Sequence, residues 1–346
     1  MKFSFILPVY NAEGTLLDCV NSILNQTYKN IELIIIDDFS KDNSRSIIKE
    51  ISDNDNRVIS IFNSENIGTL CSRKKGVLMS SGDYILFADN DDIYDLKACE
   101  ILNSELNSKK SDIIMYSVNP LNNDSIASSM YELNSLLEPI PEEFSGNNCM
   151  YVNNRISLLW NKAVNAAVCK MAYQNAEDLF LTIAEDRYAS YLIHYYAKSF
   201  RTISNVLYYW NNTSGVSSKK TRNQEQFDKL CKCMYESSRA IEAFLTKNCE
   251  TKALETFKSS DKGAGYCIDE WRKSIDSCNC VTSMNTIFDY YGNDFVIPLI
   301  YDKINYFDTE QKKYKSLFLD LCNSKLFRLY FYICKKFFKK YNDYVL

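Results

Sequence analysis

Five short apolar runs in the first third of the chain, separated by segments with helical spacing, constrain the fold more than any other feature. The runs are Lys2–Val9, Ile31–Asp37, Arg57–Phe62, Asp83–Phe87 and Asp112–Val118. The second run is apolar almost throughout, which is typical of a strand covered on both faces. Because strands that alternate with helices form parallel sheets with right-handed crossovers, the pattern predicts an α/β fold.

Composition limits the classes of protein that this chain can belong to. It has 346 residues, enough for one large α/β domain with a smaller appendage. Gly (9) and Pro (5) are scarce while Tyr (25) and Phe (19) are plentiful, which favours packed structure over disorder. The net charge of −4 gives no basic footprint, so we expect no nucleic-acid partner.

The sequence also predicts a cytoplasmic location. The chain starts directly in a strand-like run, without the layout of a signal peptide, and contains no apolar run long enough to span a bilayer. Its 13 cysteines are an odd number without a disulfide framework, as expected of reduced thiols.

Polar residues follow each of the first four runs at the point where the strand should end. They are Tyr10 and Asn11, then Asp37 and Asp38, then Asn63 to Asn66, then Asp89 to Asp92. Ligands of open α/β sheets bind beyond the carboxyl ends of the strands, so we expect a ligand site at this edge. No Gly-x-Gly-x-x-Gly follows any run, which argues against a dinucleotide.

The fourth polar segment holds three carboxylates within four residues, Asp89, Asp91 and Asp92. An Asp-x-Asp spacing at a strand end can direct carboxylate oxygens at one Mg²⁺ or Mn²⁺ ion. A solvated acidic turn has the same composition, and this motif taken by itself leaves both interpretations open.

Taken together, these motifs resemble those of the inverting family 2 glycosyltransferases with the GT-A fold. The matching stretches are Leu7–Asn11, Ser22–Tyr28, Glu32–Ser40, Asn66–Gly68 with Arg73, and Gly82–Asp92. The resemblance implies a Rossmann-like, mostly parallel sheet flanked by helices, followed by a helical C-terminal region.

The resemblance implies a role for each residue of the strand-end motifs. The donor-binding residues would be Pro8, Tyr10, Asp38, Arg73, Asp89 and Asn90, and the ligand of Mn²⁺ or Mg²⁺ would be Asp91. Tyr10 offers a flat face for a base, and Asp38 can accept the N3–H of uracil. The alternatives are a core aromatic at Tyr10, helix capping around Asp38 and a solvated surface side chain at Arg73.

A general base is needed to deprotonate the acceptor, and the chain offers two Glu-Asp pairs. Glu185-Asp186 is followed by a helical run and then by the aromatic pair Tyr208-Tyr209, the order that the family shows. The resemblance therefore implies Asp186 as the base, with Glu185 orienting it or binding the acceptor. Asp178, of the pair Glu177-Asp178, is the reserve candidate. Compensation of a helix dipole would equally place acids at a helix start.

Two departures from the family pattern bear on the activity. Asn211 and Asn212 stand where many relatives carry a basic residue that contacts the diphosphate, although Ser214 or Ser217 could supply a hydroxyl. The Gln-x-x-Arg-Trp box of processive synthases is also missing, which indicates transfer of one sugar per encounter.

The expected activity is metal-dependent, inverting transfer of a hexose or N-acetylhexosamine from a UDP-sugar. The acceptor would be a hydroxyl of a glycan or lipid-linked glycan in cell-surface polysaccharide biosynthesis. One alternative is a non-catalytic carbohydrate- or partner-binding protein with this fold. Another is a sugar nucleotidyltransferase, which is disfavoured because no Gly-rich basic loop follows the first strand.

The chain is predicted to form two domains. Residues 1–218 form the catalytic domain, with nucleotide-sugar binding in 1–118 and the acceptor and base half in 119–218; residues 219–346 form a helical domain. The tail 325–346 alternates lysines with aromatic residues, which suits peripheral contact with the anionic inner face of the membrane. A terminal helix docked on the body, or a helical module for homo-oligomerisation, is the competing interpretation.

Overall fold

A computed structural model of the chain describes residues 1–121, 157–211, 222–259, 263–273, 280–292, 295–296 and 299. The strands are β1 (Phe3–Val9), β2 (Ile31–Asp37), β3 (Val58–Phe62), β4 (Tyr84–Phe87), β5 (Ile93–Tyr94), β6 (Ile113–Pro120), β7 (Lys162–Asn165) and β8 (Phe200–Trp210). The helices are α1 (Leu16–Leu24), α2 (Ser44–Asn54), α3 (Thr69–Met79), α4 (Ala98–Ser108), α5 (Ala166–Gln174), α6 (Glu185–Tyr196), α7 (Gln224–Lys247), α8 (Thr251–Ser259), α9 (Ala264–Lys273) and α10 (Cys280–Tyr291).

The strands of the described part form one eight-stranded sheet with the order β3-β2-β1-β4-β7-β6-β8-β5. The first four positions are parallel, as predicted. β7 runs antiparallel to both β4 and β6, β8 returns parallel to β6, and β5 closes the edge antiparallel to β8. The α/β class is therefore confirmed, with a mixed sheet whose parallel half contains the four predicted strand ends.

The core lies on both faces of this sheet because side chains along a strand alternate between its two faces. In β2, Ile34 and Ile36 belong to one buried cluster, whereas Leu33 and Ile35 belong to the other. Helix α3 covers the first of these faces at close range. A Cβ atom at Gly76 would lie 2.7 Å from Ile36 Cδ1, so glycine lets this helix approach the sheet.

The chain divides into two compact units. The first comprises residues 1–220 and 233–262, and the second comprises residues 221–232 and 263–346. Within the second unit, the buried Arg222 and Glu270 form an ion pair of 2.9 Å, and Thr286 Oγ1 donates to Asp228 Oδ1 at 2.8 Å. The predicted division between residues 218 and 219 stays a prediction.

None of the helices in the described ranges is both long enough and apolar enough to cross a membrane. The tail 325–346, for which membrane contact was predicted, lies outside the described residues.

Glu32 in β2 is a buried carboxylate at the end of the sheet opposite the predicted site, where it binds neighbouring segments through hydrogen bonds. Its oxygens accept hydrogen bonds from Lys2 Nζ, Ser4 Oγ, and the backbone N–H and hydroxyl of Ser81, at 2.6 to 2.7 Å. Burial opposes ionisation, but these hydrogen bonds outweigh it and lower the pKa of Glu32 to about 2.

We predict that Glu32→Gln lowers the free energy of unfolding by about 2 kcal/mol at pH 7. Because the folded-state pKa of about 2 lies below the ordinary value of 4.5, the contribution of Glu32 is complete above that value and is lost as the pH falls toward 2. Urea unfolding at pH 7 and pH 3 measures this, with Glu50→Gln on the exposed face of α2 as the control. If Glu32→Gln lowered the free energy of unfolding by the same amount at pH 7 and at pH 3, the prediction would be wrong.

Candidate active site

The polar segments after β1 to β4 lie at one edge of the sheet because these strands run parallel. Backbone hydrogen bonds extend the contact past the strand ends. The Asp38 N–H donates to the Val9 carbonyl at 2.8 Å, and the Asn63 N–H donates to the Asp37 carbonyl at 2.9 Å. Tyr10 directly follows Val9 and is 48% exposed. An accessible aromatic side chain therefore lies one residue from the backbone partner of Asp38.

The buried Asp38 carboxylate holds the loop between β3 and α3. Its Oδ1 accepts from the Ile67 N–H and from Asn63 Nδ2, both at 2.9 Å, and its Oδ2 accepts from the Gly68 N–H at 2.9 Å. Gly68 has a φ of 84°, in the region that favours glycine. Since a carboxylate oxygen can accept two hydrogen bonds, Oδ2 retains capacity for one more donor, such as the N–H of a base.

The acidic segment after β4 is fastened to the strand beside it. Asn90 Nδ2 donates to the Pro8 carbonyl at 3.3 Å, which brings together two of the predicted donor-binding residues. The Cys19 thiol donates to the Asp89 carbonyl at 3.3 Å. The backbone of this segment is thus fixed by β1 and α1.

Asp92 has a larger structural role than the polar start of a turn that its sequence position suggests. It is buried, and its carboxylate accepts from the Tyr208 hydroxyl at 2.6 Å and from the Asn211 N–H at 2.7 Å. The same hydroxyl accepts from the Asp89 N–H at 3.1 Å. Burial and the nearby Asp89 carboxylate raise the pKa of Asp92 to about 8. Tyr208 therefore joins the end of β8 to the acidic segment, a role that only the aromatic pair in the sequence signals.

Arg73, on α3, joins the acidic segment to the predicted catalytic pair. Its side chain is only 2% exposed. Nη2 lies 2.7 Å from Asp89 Oδ1, and Nη1 lies 3.1 Å from Glu185 Oε1 and also contacts Asp186 Oδ1. The structure thus places three predicted site residues around one guanidinium, and Arg73 is buried rather than a solvated surface residue.

Helix α6 begins in a way that directs both acids of the catalytic pair toward Arg73. Ala184, the residue before the helix, has a φ of 61°, a left-handed conformation that a residue with a Cβ rarely adopts. Glu185 and Asp186 then occupy the first turn, where the positive end of the helix dipole favours negative charge.

The surroundings of Glu185 favour its protonated form. Burial and the adjacent Asp186 raise the pKa of Glu185 to about 8, and Arg73 offsets only part of that rise. Glu185 therefore carries a proton near neutral pH. A protonated Glu185 suits an assignment in which it donates a hydrogen bond.

The other Glu-Asp pair has different partners. Asp178 is exposed and pairs with Lys74 at 2.6 Å, and Glu177 pairs with Arg239 at 2.9 Å. Neither acid shares the guanidinium of Arg73, so the reserve candidate for the base lies outside this cluster.

Comparison with known proteins identifies the family. The family model described as "Glycosyl transferase family 2" matches residues 4–179, just over half of the chain. The chain belongs to glycosyl transferase family 2. The match covers the parallel half of the sheet and ends just before α6.

Relatives of this family 2 glycosyltransferase differ in how much of the chain they cover. The putative glycosyltransferase EpsH of Bacillus subtilis is 27% identical over 78% of both chains. The Escherichia coli enzyme UDP-Glc:alpha-D-GlcNAc-diphosphoundecaprenol beta-1,3-glucosyltransferase WfgD is 35% identical over 36% of this chain and 48% of its own length. The chain spans only 16% to 37% of the length of three further curated glycosyltransferases, at 36% to 51% identity.

A solved structure shows the same fold. Residues 1–349 of Staphylococcus aureus TarS, in complex with UDP-GlcNAc, align with a TM-score of 0.57 and 20% identity, over 82% of this chain and 81% of that chain. At this identity the similarity establishes the fold, and it confirms the predicted GT-A architecture.

The acidic segment offers hard oxygen donors, which are the ligands that Mg²⁺ and Mn²⁺ prefer. Asp91 is half-buried there. One carboxylate oxygen of Asp89 contacts Arg73, and both oxygens of Asp92 accept hydrogen bonds from Tyr208 and Asn211. Within the described ranges, no three His, Cys, Asp or Glu side chains are grouped to hold a metal ion. The residues fit an ion that takes most of its ligands from phosphate and water, as Mg²⁺ commonly does.

The diphosphate contact expected near Asn211 is only partly described. The backbone N–H of Asn211 is used on Asp92. Asn212, Ser214 and Ser217 lie outside the described residues, so the prediction that a hydroxyl replaces the basic residue stays a prediction.

Proposed function

We propose that this family 2 glycosyltransferase moves one sugar, a hexose or N-acetylhexosamine, from a UDP-sugar to an acceptor hydroxyl with inversion at the anomeric carbon. The acceptor is a glycan or lipid-linked glycan of a cell-surface polysaccharide, and the reaction uses Mn²⁺ or Mg²⁺.

The observation that carries this proposal is the contact of Arg73 with both parts of the site. One nitrogen of its guanidinium holds Asp89 of the acidic segment, and the other holds the pair Glu185 and Asp186. Asp186, the proposed base, and the acidic segment expected to bind the donor therefore contact the same side chain, that of Arg73. Such proximity is what a transfer between two bound substrates requires.

The residues expected to bind the donor favour a nucleotide with a uracil base. Tyr10 presents an exposed ring, and Asp38 retains capacity to accept an N–H at the neighbouring strand end. WfgD is named as an enzyme that uses UDP-Glc, and TarS was solved with UDP-GlcNAc. These names favour UDP over other nucleotides for the donor of this chain.

In the proposed reaction the acceptor oxygen attacks the anomeric carbon from the side opposite the nucleotide. The bond from that carbon to the diphosphate oxygen breaks, and its electron pair leaves with UDP. Asp186 takes the hydroxyl proton, and Glu185, protonated near neutral pH, orients it or binds the acceptor. Pro8 and Asn90 fix the loop against which the donor lies.

The metal ion belongs beside Asp91 in this proposal. A divalent ion held there together with the donor phosphates supplies positive charge where the leaving diphosphate gains negative charge. Asp89, held by Arg73, would contact the ribose or a water molecule of the ion.

The test is a thermal-shift panel of UDP-, GDP- and dTDP-sugars, each with and without Mn²⁺. At 100 times its Kd, a ligand stabilises the folded state by about 2.7 kcal/mol, and we expect a rise in Tm of roughly 5 °C only with a UDP-sugar and metal together. Release of UDP from the same compound then distinguishes an enzyme from a non-catalytic sugar-binding protein. Stabilisation by GDP- or dTDP-sugars alone, or binding without UDP release, would contradict the proposal.

The location is proposed from the same function. An acceptor linked to a lipid would place the enzyme in the cytoplasm at the inner face of the membrane, where the basic tail 325–346 contacts anionic lipids. The helical C-terminal region is the proposed place of any homo-oligomer contact.

A further inference from the structure

Arg73 occupies a position that donor binding alone does not require. We propose that Arg73 is a positioning residue, which holds Asp186 beside the acidic segment, rather than a ligand of the donor phosphates. This inference rests on the proposed function, because it assigns Arg73 a part in the same proton transfer.

The geometry leaves the guanidinium little freedom. Two of its nitrogens are used by three carboxylates, and Nε is buried without a hydrogen-bond partner in the described ranges. Helix α3, which carries Arg73, is itself fixed: Gly76 packs on Ile36, and Ser72 accepts a hydrogen bond from Asn63 at 3.1 Å. With its side chain only 2% exposed, Arg73 presents little surface to a phosphate in this arrangement.

The planar shape of guanidinium explains how the Arg73 side chain can contact Asp89 on one side and the pair Glu185 and Asp186 on the other. Its nitrogens point in fixed directions, so a bond from Nη2 to Asp89 sets where Nη1 points. Nη1 then meets the two acids at the start of α6 together. Lysine, with a single nitrogen, cannot hold acids on two sides in this way.

The charges around Asp186 show why its position depends on a cation. Among the groups that interact with it are Arg73 from α3, Asp89 from the segment after β4, Glu185 from the same helix, and Tyr173 from α5. Arg73 is the one positive charge among these four. Without Arg73, no positive charge among these four groups would hold Asp186 beside Asp89.

The test compares Arg73→Gln and Arg73→Lys with the wild-type full chain. For Arg73→Gln we expect kcat to fall about 100-fold while donor KM stays within about threefold. Arg73→Lys should recover only part of kcat, because it retains the charge but not the geometry. A donor KM that rises tenfold or more would show a phosphate ligand and overturn the inference.

A second measurement separates this inference from the proposed function and does not need turnover. Carboxyl ¹³C NMR at one fixed pH, with the Asp186 signal assigned by its loss in Asp186→Asn, reports the surroundings of that carboxyl. We expect this signal to move in Arg73→Gln relative to wild type even when no transfer assay is available, and an unchanged signal would overturn the inference. If Arg73→Gln does not fold, Arg73→Lys, which keeps the positive charge, carries the same expectation. Absence of UDP-sugar turnover in the wild type, with the NMR shift present, would count against the proposed function alone.

Discussion

Asp186→Asn is expected to lower kcat roughly 10³-fold while donor binding stays within about twofold of wild type. Asparagine has the size of aspartate but cannot accept the acceptor proton at neutral pH. The change should spare the fold, because Arg73 keeps Glu185 and Asp89 as partners. Initial rates of UDP release, together with thermal shifts by the donor, measure the two effects separately.

Asp178→Asn is the matched control for that variant. It makes the same chemical change in the other Glu-Asp pair, on an exposed carboxylate that contacts Lys74. We expect its kcat to stay within about twofold of wild type, since exposed ion pairs contribute little. Near-normal activity of Asp186→Asn, or a larger loss in Asp178→Asn, would show that the base has been assigned to the wrong pair.

The parallel half of the fold could be predicted because its information is local. Each of β1 to β4 is an apolar run that ends in polar residues, and the structure moves the predicted strand ends by no more than one residue. Parallel pairing then places the residues that follow, such as Tyr10 and Asp38, at one edge without further information. The candidate donor side of the site follows from this reasoning alone.

The antiparallel half could not be predicted in the same way. β7 has four residues and β5 has two, too few to show a period in the sequence. Their direction is set by partners far along the chain. β7 pairs with β4 and β6, and β5 pairs with β8. The expectation of a mostly parallel sheet therefore described β1 to β4 and the position of β6, and it left β5 and β7 unspecified.

The position of Arg73 shows the same limit within the site. In the sequence it stands in the run Ser72-Arg73-Lys74-Lys75, which is typical of a solvated helix face. Its partners Glu185 and Asp186 are 112 and 113 residues away. Burial of a charge depends on such distant partners, and the local pattern carries no trace of them.

Removal of the divalent metal is expected to lower activity roughly 10³-fold, because the leaving diphosphate would then gain its charge without compensation. EDTA treatment followed by titration of Mn²⁺ or Mg²⁺ measures the loss and its recovery. Asp91→Asn should raise the metal concentration needed for half-recovery at least tenfold and should abolish the metal-dependent part of the thermal shift by a UDP-sugar.

Asp95→Asn is the control for the metal prediction. Asp95 follows Asp91 closely and its Oδ1 accepts from the Lys97 N–H at 2.8 Å, a local bond that asparagine can also make. Its metal requirement should match that of wild type. The two variants differ only in which acid of one short segment is neutralised, so a shared increase in metal requirement would indicate general loss of negative charge.

An unchanged requirement in Asp91→Asn, with full activity after EDTA, would mean that the acidic segment acts on the donor without a metal ion. The charge on the leaving diphosphate would then have to be met by protein groups, and the search for them would begin with the side chains after Asn211.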